Sequence, residues 1–230
     1  MVECSVCGCG WVSVDGCGAG CGSGQPAFTD GTLPRLQRKD VFATPDRSFG
    51  RLDDFCRTGL AAITFALRDA GLEQWSEKRP IAVYAASGNG CLAVDRAYYA
   101  TVATDNGALA SPQLFAYTLP NTFLGEAARR FGLCGNCMVI NCARDNFAAV
   151  LHCAIDSIAS AEHEQVLVGY CDLDISGPLK APGALFLLLR RRDENSSSAL
   201  HISTDTTGAI RCNGEPLADI GDLLAELGNG

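Results

Sequence analysis

Apolar positions recur along the chain with two periods. In 2–14, Val6, Trp11, Val12 and Val14 belong to an extended run, whereas Leu60, Ile63, Leu67 and Ala70 return at helical spacing and stop at Gly71. A short apolar strand over 80–86 is closed by Ser87-Gly88-Asn89-Gly90, and helices are expected over 92–102 and from Pro120 to near Gly132. Further strands are expected at 137–142, 165–170, 184–190 and 200–204, with helices over 146–160 and 216–227. This alternation predicts an α/β domain with a largely parallel sheet. Gly16 to Gly24 reads as a permissive loop, an irregular polar region runs on to about Leu52, and Asn195 to Ser198 is linker-like. No internal repeat is visible.

The 146–160 segment stands out because Phe147, Ala148, Ala149, Val150, Leu151, Cys153, Ala154, Ile155, Ile158 and Ala159 leave almost no polar face. A helix lying on a sheet needs one apolar stripe, so one that is apolar nearly all round has to be covered on both sides. Either the C-terminal elements or another subunit supplies the second cover, and the subunit is the favoured reading.

Composition narrows the function. The 230 residues are 47% hydrophobic and 19% charged, with a net charge of −8 and a sequence pI near 4.8. Nucleic acid and anionic membrane surfaces reward basic patches, so neither is an expected partner. The longest apolar run, Ala184 to Leu189, is too short to span a bilayer, and no basic leader region opens the sequence. A soluble, cytoplasmic protein is expected. The 13 cysteines are an odd count that suits a disulfide framework poorly. Cys4, Cys7 and Cys9, with Cys17 and Cys21 nearby, invite a zinc reading. On a strand, however, Cys7 and Cys9 share one face while Cys4 takes the other, and no second pair follows at finger-like spacing. They are expected to be small buried residues, with no metal bound. A dinucleotide loop also fails, because Gly16, Gly18, Gly20 and Gly22 alternate strictly where G-x-G-x-x-G is needed to open a helix. No cofactor is expected.

The stretch Ser111 to Arg144, SPQLFAYTLPNTFLGEAARRFGLCGNCMVINCAR, resembles the N-terminal half of β-ketoacyl synthases in the thiolase superfamily. Those carry S-P-x-x-F-x-x-T-x-x-N, then a glycine, then F/Y-G-L-x-G-P and a strand ending in the nucleophilic cysteine. Val6-Cys7-Gly8-Cys9-Gly10-Trp11-Val12-Ser13 resembles their first strand, V-T-G-x-G-x-V-S. Gly50-Arg51-Leu52-Asp53-Asp54-Phe55, followed by Leu60 and Ala61, is similar to the lead-in to their first long helix. Gln165 to Gly169 and Gly183 to Leu189 resemble their next two strands. The resemblance covers about 4–191 and implies an α/β thiolase-like half-fold: a mixed, mostly parallel five-stranded sheet flanked by helices, with 1–230 as one domain and the family's C-terminal catalytic half absent.

Counted from Gly135 without a gap, the family's nucleophile falls on Arg144, whose guanidinium stays protonated and cannot attack. Cys142, two residues earlier, is the fallback nucleophile. His152, His163 and His201 match none of the family's histidine motifs. The resemblance therefore implies a catalytically inactive chain length factor, similar to the short ones of aryl-polyene-type clusters, which pairs with a full-length β-ketoacyl-ACP synthase or with itself. By the same resemblance Leu119 gates the acyl tunnel, with Phe115 and Phe123 as tunnel or core residues. Cys137, Met138, Val139, Ile140, Asn141, Cys142 and Arg144 would form the dimer interface. That strand carries neither charge nor proline, so it is expected to be paired. An acyl carrier protein, itself acidic, is expected to dock mainly on the partner. Arg35 with Arg38 and Lys39, Arg129 with Arg130, and Arg190 to Arg192 are the local basic candidates. A Cys142-dependent acyltransferase, an acyl-binding module and a structural scaffold are the alternatives.

Overall fold

β1 (Glu3–Ser13) runs through the middle of a nine-stranded sheet. It pairs antiparallel with β6 (Gly183–Arg191), which pairs antiparallel with β5 (Gln165–Asp172). Beyond β5 lie β3 (Ala82–Ser87) and then β4 (Cys137–Asn141), which forms one edge. On the other side of β1 come β7 (His201–Thr204), β8 (Ile210–Cys212) and β9 (Glu215–Pro216), while β2 (Gly16–Ala19) folds back on the end of β1. The computed structural model describes residues 2–20, 28–44, 46–141, 147–174, 180–192, 200–217 and 220–229.

The mixed α/β sheet agrees with expectation; its size and strand directions do not. Among the described residues it has nine strands rather than five. Among the described pairings only β3 with β4 and β3 with β5 are parallel, and all others are antiparallel. Parallel neighbours need a crossover helix. Two such crossovers are described, through α5 (Thr122–Phe131) and through α6 (Phe147–Ala159), whereas among the described residues no helix lies between β5 and β6. Gly16 to Ala19 form a strand instead of a loop because Gly18 faces Trp11, and a Cβ there would come within 2.8 Å of the indole. The linker-like Asn195 to Ser198 lies outside the described residues.

Helices cover both faces. α1 (Arg38–Val41) is a single turn preceding α2 (Asp54–Asp69), which starts where Asp53 accepts from the backbone N–H groups of Phe55 and Cys56. Leu60, Ile63 and Leu67 of α2, with Phe123, Leu124 and Phe131 of α5, build one core layer. Close packing needs Gly8 and Gly10 in β1, since a Cβ at Gly10 would overlap the backbone of Ala62 and Ala66. On the opposite face, α6 contributes Phe147, Val150, Leu151, Ala154, Ile155 and Ile158 to a second layer, joined by Ile220, Leu223 and Leu227 of α7 (Ile220–Asn229). The outward side of α6 (Ala148, Ala149, His152, Cys153) is only half-buried and Asp156 is exposed, so within the described chain this apolar helix is fully covered on one side alone.

Candidate functional site

β4 hydrogen-bonds to β3 and has no second strand partner among the described residues. Alternation sends Val139 to the α2–α5 layer, and Met138 and Ile140 to the α6 layer. All three remain half-buried, while Cys137 and Asn141 are exposed. An edge with free backbone groups and no charge or proline is a template for another strand.

Both ends of this edge are held by side chains. At its start, Asn136 donates its amide to Glu162 Oε1 (2.7 Å) and its backbone N–H to His163 Nε2 (3.4 Å). An accepting Nε2 places the ring proton on Nδ1, which faces Ser157 Oγ at 2.8 Å, and Tyr84 donates its hydroxyl to the same oxygen (3.2 Å). At its end, the Asn141 amide donates to Gly88 O (3.2 Å) in the turn that follows β3. That turn rests on Asp172, the last residue of β5, which is fully buried and accepts from Ser87 Oγ and from the N–H groups of Gly88 and Asn89. Burial pushes the Asp172 carboxyl above its ordinary pKa, and these donors pull against it.

A further apolar surface is built by α3 (Leu92–Ala103), α4 (Pro112–Phe115) and the segment after it. Ser111 caps α4 through its hydroxyl, and Pro112 starts the helix. Tyr99, Leu109, Phe115 and Leu119 are 61–70% exposed, and Phe115 stacks on Tyr98 with ring centres 5.4 Å apart. Leu119 is followed by Pro120, which packs against Gly90: a Cβ at Gly90 would stand 3.1 Å from the proline ring. Between α3, Leu114 and the start of α2 opens a cavity of about 380 Å³, which shares Asp54, Arg57 and Leu173 with a second of about 560 Å³ lined by 31–36.

Of the three residues expected at a tunnel, Phe115 and Leu119 lie on this surface. Phe123 instead sits fully buried, edge-on to Phe55 (5.3 Å) and Phe186 (6.1 Å) and against Gly59, as a core residue. Tyr99, Leu109 and Leu114 join the site without having been expected. The signal for Tyr99 was a tyrosine on a helix whose apolar residues point all round, only Val94 of which is buried. Cys142 and Arg144 lie outside the described residues. Among described cysteines, burial raises the thiol pKa of Cys4 and Cys91 to about 11, aided at Cys91 by Asp95, and also lifts Cys17, Cys56, Cys137 and Cys171. Such thiols are poor nucleophiles. His201 Nδ1 lies 3.3 Å from Ser5 Oγ. No group of three or more His, Cys, Asp or Glu side chains poised for a metal occurs among the described residues, and no described helix is long and apolar enough to cross a membrane.

No curated protein matches the sequence. The fold is similar to a type II polyketide synthase acyl-carrier protein in complex with its hexaketide-bound ketosynthase, AntDE:AntF (TM-score 0.66, 14% identity, covering 88% of this chain and 67% of that one). It is also similar to the ishigamide ketosynthase/chain length factor (0.64, 15%, 86% and 64%). A third similar structure is the ketosynthase ApeO in complex with its chain length factor ApeC from Xenorhabdus doucetiae (0.59, 17%, 89% and 84%). The chain thus spans about two thirds of the first two matched structures. At these identities the likeness is one of fold: a thiolase-like, mixed sheet between helices. Residues 32–183 match the family described as β-ketoacyl synthase, N-terminal domain, and the chain belongs to that family.

Proposed function

We propose that this chain is a non-catalytic subunit of the chain-length-factor type, pairing with a full-length β-ketoacyl-ACP synthase and shaping the tunnel for its growing acyl chain in fatty acid or polyketide-type elongation. The observation that carries the reading is the open, charge-free β4 edge, tied through the 87–90 turn to a surface that exposes Tyr99, Leu109, Phe115 and Leu119. A lone subunit gains nothing from either feature, whereas a partner would satisfy the edge and cover the exposed apolar side chains. Arg144 at the nucleophile position argues against independent condensation. In this reading residues 1–230 form one thiolase-like unit, and the partner supplies the cysteine and histidines. β4 with Cys142 and Arg144 joins the two chains, and Leu119 and Phe115 border the tunnel.

Two of the similar structures support the pairing: one is a ketosynthase with its chain length factor, the other a ketosynthase with its acyl-carrier protein. A net charge of −8 disfavours direct docking of an acidic carrier, which binds mainly to the partner. The complex works in the cytoplasm, without metal or cofactor on this subunit. A tagged pull-down from the source cells, with mass spectrometry and light scattering on the eluate, tests the reading. We expect a one-to-one complex with a full-length ketosynthase; a monomer or homodimer without one overturns it.

A further inference from the structure

We propose that Asp172 is the positioning residue of the pairing surface, holding the 87–90 turn and, through it, both the end of β4 and the Leu119 segment in the geometry that receives a ketosynthase partner. The proposal rests on the pairing reading above and adds the residue that sets its geometry.

Asp172 closes β5 and has no exposed surface. Its Oδ1 accepts from Ser87 Oγ (2.8 Å), Gly88 N (3.1 Å) and Asn89 N (3.1 Å), and its Oδ2 accepts from Gly88 N (2.9 Å). All these donors lie in the last residue of β3 and the turn behind it, so one carboxylate fixes the turn to a neighbouring strand. Buried charge held by converging N–H groups, as in an anion nest, is costly unless every donor stays in place. The fixation then spreads outward. Ser87 Oγ accepts from Gly90 N (2.8 Å), Gly88 O accepts from the exposed Asn141 at the end of the open edge, and Gly90, with φ +54°, packs on Pro120 next to Leu119. The ends of three strands and the tip of the apolar surface therefore share one buried acceptor. Asn89, which donates to Asp174 (2.8 Å), is the exposed crown of the turn.

The test compares Asp172→Asn, Asp172→Glu and Thr64→Val in complex with the ketosynthase recovered by the wild-type chain. Thr64 is a buried hydroxyl in α2 that donates to Leu60 O and stands apart from the turn. Affinity, the product-length distribution at saturating subunit, and the near-UV circular dichroism of each variant are measured. Asp172→Asn puts an N–H donor against the turn's own donors. It is expected to weaken association about ten-fold or more and to broaden product lengths even at saturation, with Asp172→Glu recovering part of both. Thr64→Val lowers thermal stability without changing product lengths. If Asp172→Asn does not fold, Gly90→Ala leaves the carboxylate intact while displacing Pro120, and is expected to broaden product lengths in the same way. A folded Asp172→Asn variant with wild-type affinity and products overturns the proposal while leaving the pairing reading standing. A wild-type chain that captures no ketosynthase overturns both.

Discussion

Arg130 shows how a single residue ties the end of α5 to the segment before α2. Its guanidinium lies 3.8 Å from the centre of the Phe42 ring while donating to Asp46 Oδ2 (3.1 Å) and Thr44 O (2.9 Å). Burial pushes the Asp46 carboxyl up, but hydrogen bonds from Ser48 and the charges of Arg130 and Arg129 outweigh it and hold its pKa below the usual carboxylate range. A carboxyl lowered in the folded state contributes stability above its unfolded pKa and loses it as pH falls through the folded value. Asp46→Ala is therefore expected to cost about 1–3 kcal/mol in urea unfolding at neutral pH, with the gap to wild type closing in acid. Leu119 and Phe123, four residues apart, separate two kinds of effect. Leu119 is exposed, and under the proposed pairing Leu119→Ala is expected to lengthen the products of the complex at unchanged stability; unchanged lengths would count against gating. Phe123→Ala, which empties a site between Phe55, Phe186 and Gly59, is expected to cost about 3–5 kcal/mol in chemical denaturation.

At the scale of elements, β4 is the piece whose chemistry departs most from that of an isolated domain. Sheet edges facing water are normally blunted by lysine, proline or a bulge, and Cys137 to Asn141 carries none of these. Cys137 is exposed, and its thiol makes weak contacts to the backbone of Gly135 and Val83, so Cys137→Lys can be tolerated by the fold. It is expected to abolish capture of the ketosynthase while leaving the melting temperature unchanged, read by light scattering and calorimetry side by side. The long elements were legible in the sequence because burial imposes a period: α2 ends at Asp69 and α5 at Phe131, within a residue or two of Gly71 and Gly132, and α6 covers Phe147–Ala159 of the 146–160 read from spacing. α3 was legible as a helix but not as a surface, since its apolar residues point all round and only Val94 is buried. β2, β8 and β9 were not foreseen, because at two to four residues they are too short to show a period, even though each pairs with the strand just before it.

Across the whole molecule, periodicity carried the layers but not the strand directions. Helix–strand alternation up to β5 does produce the parallel trio β4–β3–β5, and that trio holds the open edge. β6 pairs antiparallel with β5, and every other described pairing that involves β6 or a later strand is antiparallel too. Strand direction depends on what connects two strands, which the apolar pattern inside each strand does not encode. The same holds for Asp172 and the turn it anchors: 83 to 85 residues separate it from its donors, so a serine, two glycines and an aspartate read as ordinary punctuation until the fold brings them together. The unguarded rim at β4 has one more consequence, for supply. A chain that displays a ready strand template adds to copies of itself when produced in excess. If it pairs as proposed, its safe abundance in a cell is set by how much partner is made alongside it, and not by how firmly it folds.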